Sequence, residues 1–388
     1  MDFTLAVEQQ ALADSAARWC TKEYHPAARR ERLQAGSGSI TAHWGAMAEM
    51  GWHGAGVPEA DGGFGGGIVE TAILMEAFGR ALVVEPFLSS SVMALQTLVA
   101  LPAGELRDSL IARSISGECV LSLAHAASTD AGMNGIRADA GKRPEGWTLN
   151  GSTLLTPGAP LATHILFSAQ TPQGPALFLA DAASVAQMTR PYRTLDSHQV
   201  ADFILTDAPV TALETDSGRA TFALEHGAAH ALVAQCAEAV GAMDAAIALT
   251  TDYVRTRRQF GQTLNGFQAV QHRLADMLVE AELSRSILYA GMAALGHAGH
   301  ARTRTLSAMK SVVASAALFV GRQAVQLHGA VGVTEDCFVS HLYRRLFVIA
   351  GQFGNESFHL ARMTRIPPDD ADAPRLGPAT RQTAGSTP

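Results

Sequence analysis

Three arginines, an aromatic ring and a glycine close one helical stretch at Tyr253-Val254-Arg255-Thr256-Arg257-Arg258-Gln259-Phe260-Gly261. The next periodic stretch opens with Leu264, Phe267 and Gln268. A guanidinium at such a turn suits a phosphate, because its planar fork donates two parallel hydrogen bonds. Phe260 offers a face to a ring. On residue chemistry alone, however, the plainer reading is a solvated basic helix end that complements the helix dipole. Other chemistry-bearing groups read as structural. His226 and His230 lie one helical turn apart but have no evident third ligand for a metal. The Gly62–Gly67 run lacks the Gly-Lys-Ser/Thr ending and the preceding strand of a phosphate loop, and reads as a tight inter-helix turn. Cys20, Cys119, Cys236 and Cys337 are far apart and form no Cys-x-x-Cys pair, which points to a reduced, cytoplasmic protein.

The elements that position these residues fall into blocks. Leu12, Ala16 and Trp19, then Ile73, Ala77 and Ala81, recur at helical spacing up to about Ser116. From Cys119 to Val210 short apolar or alternating runs predict a small antiparallel β domain. Pro144-Glu145-Gly146, Asn150-Gly151 and Gln173-Gly174-Pro175 read as its turns. From Thr221 the helical period returns. Phe267, Val270, Leu274, Met277, Leu278, Ala281 and Leu288 form one stripe that reads as bundle core, and Ser307–Leu327 and Phe338–Leu360 read as further long helices. The expectation is an α+β chain: residues 1–118 an N-terminal helical domain, 119–211 a middle β domain, 212–365 a C-terminal four-helix bundle, and 366–388 a loose tail.

Composition excludes several function classes. Hydrophobic residues are 47% and charged residues 17% of 388, which suits a large core or an oligomer rather than a disordered chain. A net charge of −7 argues against a nucleic-acid partner. No apolar run is expected to reach the roughly 18 residues needed to span a bilayer. Residues 1–10 lack the order of a signal peptide.

The segment around Arg257 closely resembles the Arg-x-x-Phe-Gly motif of acyl-CoA dehydrogenases. Gln326-Leu327-His328-Gly329-Ala330-Val331-Gly332-Val333-Thr334 resembles that family's Gln-x-x-Gly-Gly-x-Gly element at the matching distance. The likeness extends over nearly the whole chain, including Pro58-Glu59 and Gly62-Gly63. It implies the acyl-CoA dehydrogenase-like fold, FAD as cofactor, an acyl-CoA thioester as substrate, and an electron-transfer flavoprotein or similar acceptor as partner. It also implies that Arg257, Phe260, Gln268, Gln326, Gly329 and Ala330 contact FAD bound to the neighbouring subunit. Small residues at Gly329 and Ala330 let backbone amides approach phosphate, and Gln326 can bond an adenosine edge or ribose.

The pattern breaks where the family keeps its chemistry. A family glutamate takes a proton from the carbon beside the thioester carbonyl while the flavin takes a hydride from the next carbon. The matching positions hold Phe353, within Gln352-Phe353-Gly354-Asn355, and Ala231, and neither accepts a proton. Glu356, about a turn past Phe353, is a weak substitute. In the β domain, Leu123-Ala124-His125-Ala126-Ala127-Ser128-Thr129-Asp130 and Leu154-Leu155-Thr156-Pro157 replace strings that touch the flavin ring in relatives. The chain therefore resembles the small, degenerate subunit of pimeloyl-CoA dehydrogenase-like heteromeric enzymes, which act in degradation of fatty or dicarboxylic acids or steroid side chains. It would supply FAD contacts in trans to a paralogous large subunit in a heterotetramer. A self-sufficient homo-oligomer using Glu356, or a catalytically dead scaffold, are the alternatives.

Overall fold

The structure, a computed structural model, describes residues 4–35, 43–125, 135–297 and 299–366. The N-terminal helical period is realised as α1 (Val7–Glu23), α2 (Pro26–Ala35), α3 (Trp44–Glu49), α4 (Ile68–Ala81), α5 (Leu95–Val99) and α6 (Glu105–Ile115), with a π-helical stretch at Leu88–Ala94 running into α5. Seven strands follow: β1 (Leu121–Ala124), β2 (Ala138–Arg143), β3 (Gly146–Pro157), β4 (His164–Thr171), β5 (Gly174–Asp181), β6 (Thr189–Arg193) and β7 (Gln199–Glu214). The chain then returns to helix in α7 (Ser217–Thr256), makes a short hairpin of β8 (Arg258–Gln259) and β9 (Gln262–Thr263), and continues as α8 (Gln268–Ala294), α9 (Gly299–His328), α10 (Phe338–Gly351) and α11 (Glu356–Arg365). The α+β order read from the periodicity is the observed one.

In the sheet the order is β1-β4-β2-β3-β7-β5, with β6 on β7, and a further β4–β5 pairing brings it back on itself. The pairs are antiparallel except β1 with β4 and the single β2–β4 bridge, which are parallel. Asn150-Gly151, expected as a turn, lies inside β3 as a bulge with a register shift against β7. A methyl on Gly151 would sit 2.1 Å from the Arg137 carbonyl, so the glycine serves close strand approach rather than chain reversal.

Strand β7 runs to Glu214 and α7 starts at Ser217. As domain limits we therefore propose about residue 118 and the Glu214–Ser217 junction, and the tail from 367 lies outside the described residues. The expected helix over Phe338–Leu360 is two helices. Gln352–Asn355 interrupts it, with Phe353 and Gly354 at φ +56° and +96° and the Asn355 side chain accepting from Phe358 N at 2.9 Å to start α11.

The expectation that no stretch is long and apolar enough to cross a membrane is also corrected. By length and composition α7 is such a helix. Its hydrophobic window is 72% buried within the protein, because α7 is the axis on which α4, α8, α9 and α10 pack. Two glycines allow the closest of these approaches. A methyl on Gly79 of α4 would lie 2.0 Å from the Glu238 carbonyl, and one on Gly241 of α7 would lie 2.0 Å from the Glu76 carbonyl. One hydrophobic cluster accordingly runs from Trp52 and Phe78 through Val233, Val240 and Met243 to Met309 and Ile349. A second joins Leu98 and Leu110 to Leu121, Leu177 and Leu224, so the helical and β blocks share cores. Met277, Ala281 and Leu288 of the expected stripe are buried, whereas Leu278 is exposed.

Backbone carbonyls cannot yield as side chains do. Gly241→Val should therefore lower stability by about 3 kcal/mol or more, measurable as a shift in the urea midpoint; a loss below about 1 kcal/mol would show that the α4–α7 contact is looser than described.

Candidate functional site

Two sequence strings converge at one end of the bundle. Arg257 caps α7, its N–H reaching Tyr253 O at 2.8 Å. The hairpin beyond it turns on Phe260 and Gly261, with φ +53° and +84°. Two successive positive φ values match a type I′ hairpin turn, an uncommon conformation for phenylalanine. The Phe260 ring is 87% exposed and stands edge-on to Phe267, with centroids 6.1 Å apart. The Tyr253 ring stacks on His328 at 4.4 Å and 19°, joining the end of α7 to the end of α9. Gly329 follows with φ +65°, and the chain continues as a 3₁₀ turn, Gly329–Val333. The Arg273 guanidinium donates to the Gln323 side chain, tying the start of α8 to the same end.

Arg257, Phe260, Gln268, Gln326, Gly329 and Ala330 are thus all exposed within this neighbourhood. Among the described residues no ion pair or side-chain hydrogen bond takes up the Arg257 guanidinium. Free guanidinium donors beside an open glycine turn suit an anionic group such as a pyrophosphate.

The interior site is different. A cleft of only ≈ 50 Å³ lies between α4, the Leu88–Ala94 stretch, the sheet and the α10–α11 break. Its walls include Phe87, Gly158, His198, Glu238, Gln352 and Phe353. That space is far below the roughly 300 Å³ of an ordinary ligand pocket. The Phe353 ring packs against both large hydrophobic clusters. Ala231 is fully buried in the second of them. Glu356 is exposed in the first turn of α11 and does not line the cleft.

Sequence reasoning missed the charged groups around this cleft. The Arg345 guanidinium bonds both Glu238 oxygens at 2.6 Å and Asp196 Oδ2 at 2.7 Å. Burial pushes the Asp196 carboxyl up, but His198 and Arg345 outweigh it and hold it well below the usual range. Burial would lower Arg345, yet Glu238 and Asp196 raise it. Glu238 therefore lines the cleft with both oxygens engaged by Arg345. Burial pushes the Glu85 carboxyl up to about 7; Tyr24 donates to it and Arg32 lies 3.6 Å away. The one available signal was an acidic residue set among small apolar ones in Cys236-Ala237-Glu238-Ala239-Val240.

The part of the β domain expected near a flavin ring is internally satisfied. Leu155, at φ +54°, donates its N–H to Asp202 at 2.8 Å, and Asp202 also accepts from Tyr192 at 2.7 Å. The Thr156 hydroxyl is buried 3.3 Å from that of Thr153. These groups are hydrogen-bonded to one another within the β domain. Of the upstream string, Leu123–His125 are described and Ala126–Asp130 lie outside the described residues. The His226 and His230 rings lie tilted at 36° with centroids 4.2 Å apart, and His226 Nε2 lies 3.3 Å from Gln96 Oε1. No group of three ligating side chains that could hold a metal occurs among the described residues.

Comparison with known proteins converges on one family. Residues 6–118 match the family described as Acyl-CoA dehydrogenase, N-terminal domain, and residues 223–365 match its C-terminal domain. Acryloyl-CoA reductase (NADH) of Anaerotignum propionicum is 26% identical over 94% of this chain and 95% of its own length. Acyl-CoA dehydrogenase FadE27 of Mycobacterium tuberculosis is 27% identical over 80% of this chain and 82% of its own. A solved structure of a Tcur3481-Tcur3483 steroid ACAD variant superposes with TM-score 0.82 at 26% identity, covering 94% of this chain and 98% of that one.

Removing Arg345 would strand two buried carboxylates. Arg345→Met should cost about 3–5 kcal/mol of unfolding free energy, while Glu356→Gln on the surface should stay within about 0.5 kcal/mol. Equal small effects in chemical denaturation would refute the ion triad as a structural pin.

Proposed function

We propose that this chain, which belongs to the acyl-CoA dehydrogenase family, is the non-catalytic subunit of a heteromeric FAD-dependent acyl-CoA dehydrogenase. The observation that carries the reading is Phe353. By resemblance it matches the family's base position, and it lines a cleft of ≈ 50 Å³, while Ala231, which matches the other base position, is buried among apolar side chains. A proton beside a thioester carbonyl needs an acceptor within hydrogen-bond reach. The carboxylates that do line the cleft, Glu238 and Glu85, are held by Arg345 and by Tyr24 and Arg32.

The exposed end supports a role in trans. Bound FAD supplies a hydride acceptor. On the present reading it sits mainly on a base-bearing paralogue. Arg257 would grip its pyrophosphate through the guanidinium fork, and the amides around Gly329 and Ala330 would approach the same oxygens. Gln326 and Gln268 would bond the adenosine portion, and Phe260 would present its face to that part of the cofactor. The substrate class is an acyl-CoA, with electrons passing to an electron-transfer flavoprotein or similar acceptor. The likeness to a steroid ACAD carrying two component names, Tcur3481-Tcur3483, supports both a paired assembly and a bulky acyl group. A self-sufficient enzyme using Glu356 has less support, since that side chain is exposed and off the cleft.

Loss of a positioned general base typically costs roughly 100- to 10,000-fold in rate. The purified chain alone should therefore show at most about one-hundredth of the turnover it supports with its base-bearing paralogue, across one panel of acyl-CoAs. Phe353→Glu should not restore activity to the lone chain. In the assembled oligomer Arg257→Ala should lower FAD retention without lowering the thermal midpoint of this chain. Robust turnover by the chain alone overturns the reading, and unchanged flavin content in the Arg257 variant removes the trans contact.

A further inference from the structure

Only three of the 29 basic residues, Lys22, Lys142 and Lys310, are lysines. Lys310 is completely buried in the middle of α9. Burying an ammonium is costly unless it is well paired, and among the described residues none of its hydrogen-bond acceptors is a carboxylate. Its Nζ donates to the Ile349 carbonyl in the last turn of α10 and to Gln235 Oε1 at 3.4 Å. Gln235, itself buried on α7, passes the link on: its Nε2 donates to Gln352 Oε1 at 2.7 Å. From the other side, buried His359 of α11 donates from Nε2 to the Phe353 carbonyl at 2.9 Å. Three side chains from three helices thus hold Ile349, Gln352 and Phe353, the residues at which α10 stops.

This arrangement answers a physical problem. The last carbonyls of a helix have no intrahelical partner, and they carry the negative end of its dipole. At the buried end of α10 water cannot supply the missing donors. A compact ammonium does so and matches the dipole in sign. The break itself needs holding, because Phe353 adopts φ +56°, which a side-chain-bearing residue rarely does.

We propose that Lys310 is a positioning residue: its ammonium, through Ile349 and the Gln235–Gln352 amide pair, clamps the 352–355 break and thereby keeps the side chain at position 353 turned into the cleft. The proposal rests on the reading of 353 as the family's base position, and adds what fixes that position. The charged and titratable groups around Lys310 are Cys236 on α7, Arg345 on α10 and His359 on α11. Burial holds the Cys236 thiol up at about 11 and the His359 imidazole down at about 4, so near neutral pH both are uncharged. Burial also brings Lys310 from 10.5 to about 8. The folded chain therefore releases this proton before the unfolded chain does. Between about pH 8 and 10.5 the unfolded state binds more protons, so the contribution of Lys310 to global stability rises with pH. The clamp weakens over the same range as the ammonium is lost. A loop that loosens while this group's own contribution to global stability rises is a signature that a merely structural lysine would not give.

The test is amide hydrogen exchange on the full chain, read on peptides covering 346–360 and on control peptides from the sheet. Lys310→Met should speed exchange in 346–360 at least tenfold and leave the sheet peptides within twofold. In the unaltered chain, exchange in the same segment, corrected for intrinsic rates, should rise with a midpoint near pH 8, and Lys310→Met should abolish that step. Unchanged protection of 346–360 in the variant, or acceleration spread evenly over all peptides, overturns the proposal. If the variant fails to fold, the absence of a step near pH 8 in the unaltered chain overturns it instead. Neither readout needs FAD or turnover. A lone chain that proved active would sink the non-catalytic reading and leave the clamp standing.

Discussion

Arg345 gathers distant parts of the chain to one point. Its guanidinium leaves α10, takes both oxygens of Glu238 on α7, and takes Asp196 from the turn between β6 and β7. Arg29 of α2 donates to the Leu82 carbonyl at 2.9 Å and approaches the Asp196 carbonyl at 3.5 Å, drawing in the N-terminal helices. Such a cluster does not stabilise simply because opposite charges attract. Desolvating each ion costs several kcal/mol, and the pairing offsets this only when the geometry is close and complete. The fork meets that condition: all three of its nitrogens are used. The three blocks are thus locked in one relative placement, and the cleft between them inherits its shape from that lock.

Inside and outside follow opposite rules. Around the cleft, polar groups pair with one another: Glu238 with Arg345, Glu85 Oε2 with Tyr24, Gln352 with Gln235. The Phe353 ring lines the cleft and packs against both hydrophobic clusters. At the far end of the bundle, Arg257, Gln326 and the Gly329 turn are exposed, and Phe260 holds an uncommon backbone conformation with its ring in the open. Rigid exposed aromatics and arginines are what binding surfaces concentrate. This division, a small cleft at the base position and an exposed end, underlies the role in trans proposed above.

The packing of α7 explains how so apolar a helix can belong to this fold. Its small residues let α4 approach backbone to backbone at Gly79 and Gly241. Helices that close exclude water along most of their length, and α7 spends its hydrophobic surface on neighbours. That same closeness surrounds Glu238 and Lys310 with low-dielectric material, where every charge needs a specific partner.

Residue periodicity was enough to read the helix–strand–helix order, because amphipathic faces repeat at 3.6 or 2 residues wherever one side is buried. The spacing of Arg257-Arg258-Gln259-Phe260-Gly261 and Gln326-Leu327-His328-Gly329 was enough to read the family and a candidate binding end, because those residues lie in short contiguous strings. Contacts between residues far apart in the chain were not legible. Nothing local distinguished Asn150-Gly151 as a bulge from a turn, since both need a glycine; the neighbouring Arg137 carbonyl decided it. The apolar run through Phe338–Leu360 reads as one helix, yet Lys310 and Gln235, reaching in from other helices, and His359, from beyond the break, hold it broken at Gln352–Asn355. Phe353 could be recognised from sequence as a residue unable to take a proton. That it also lines the cleft, where Glu238 is held by Arg345, depended on side chains brought together only when three blocks pack, where burial makes each charge choose its partner.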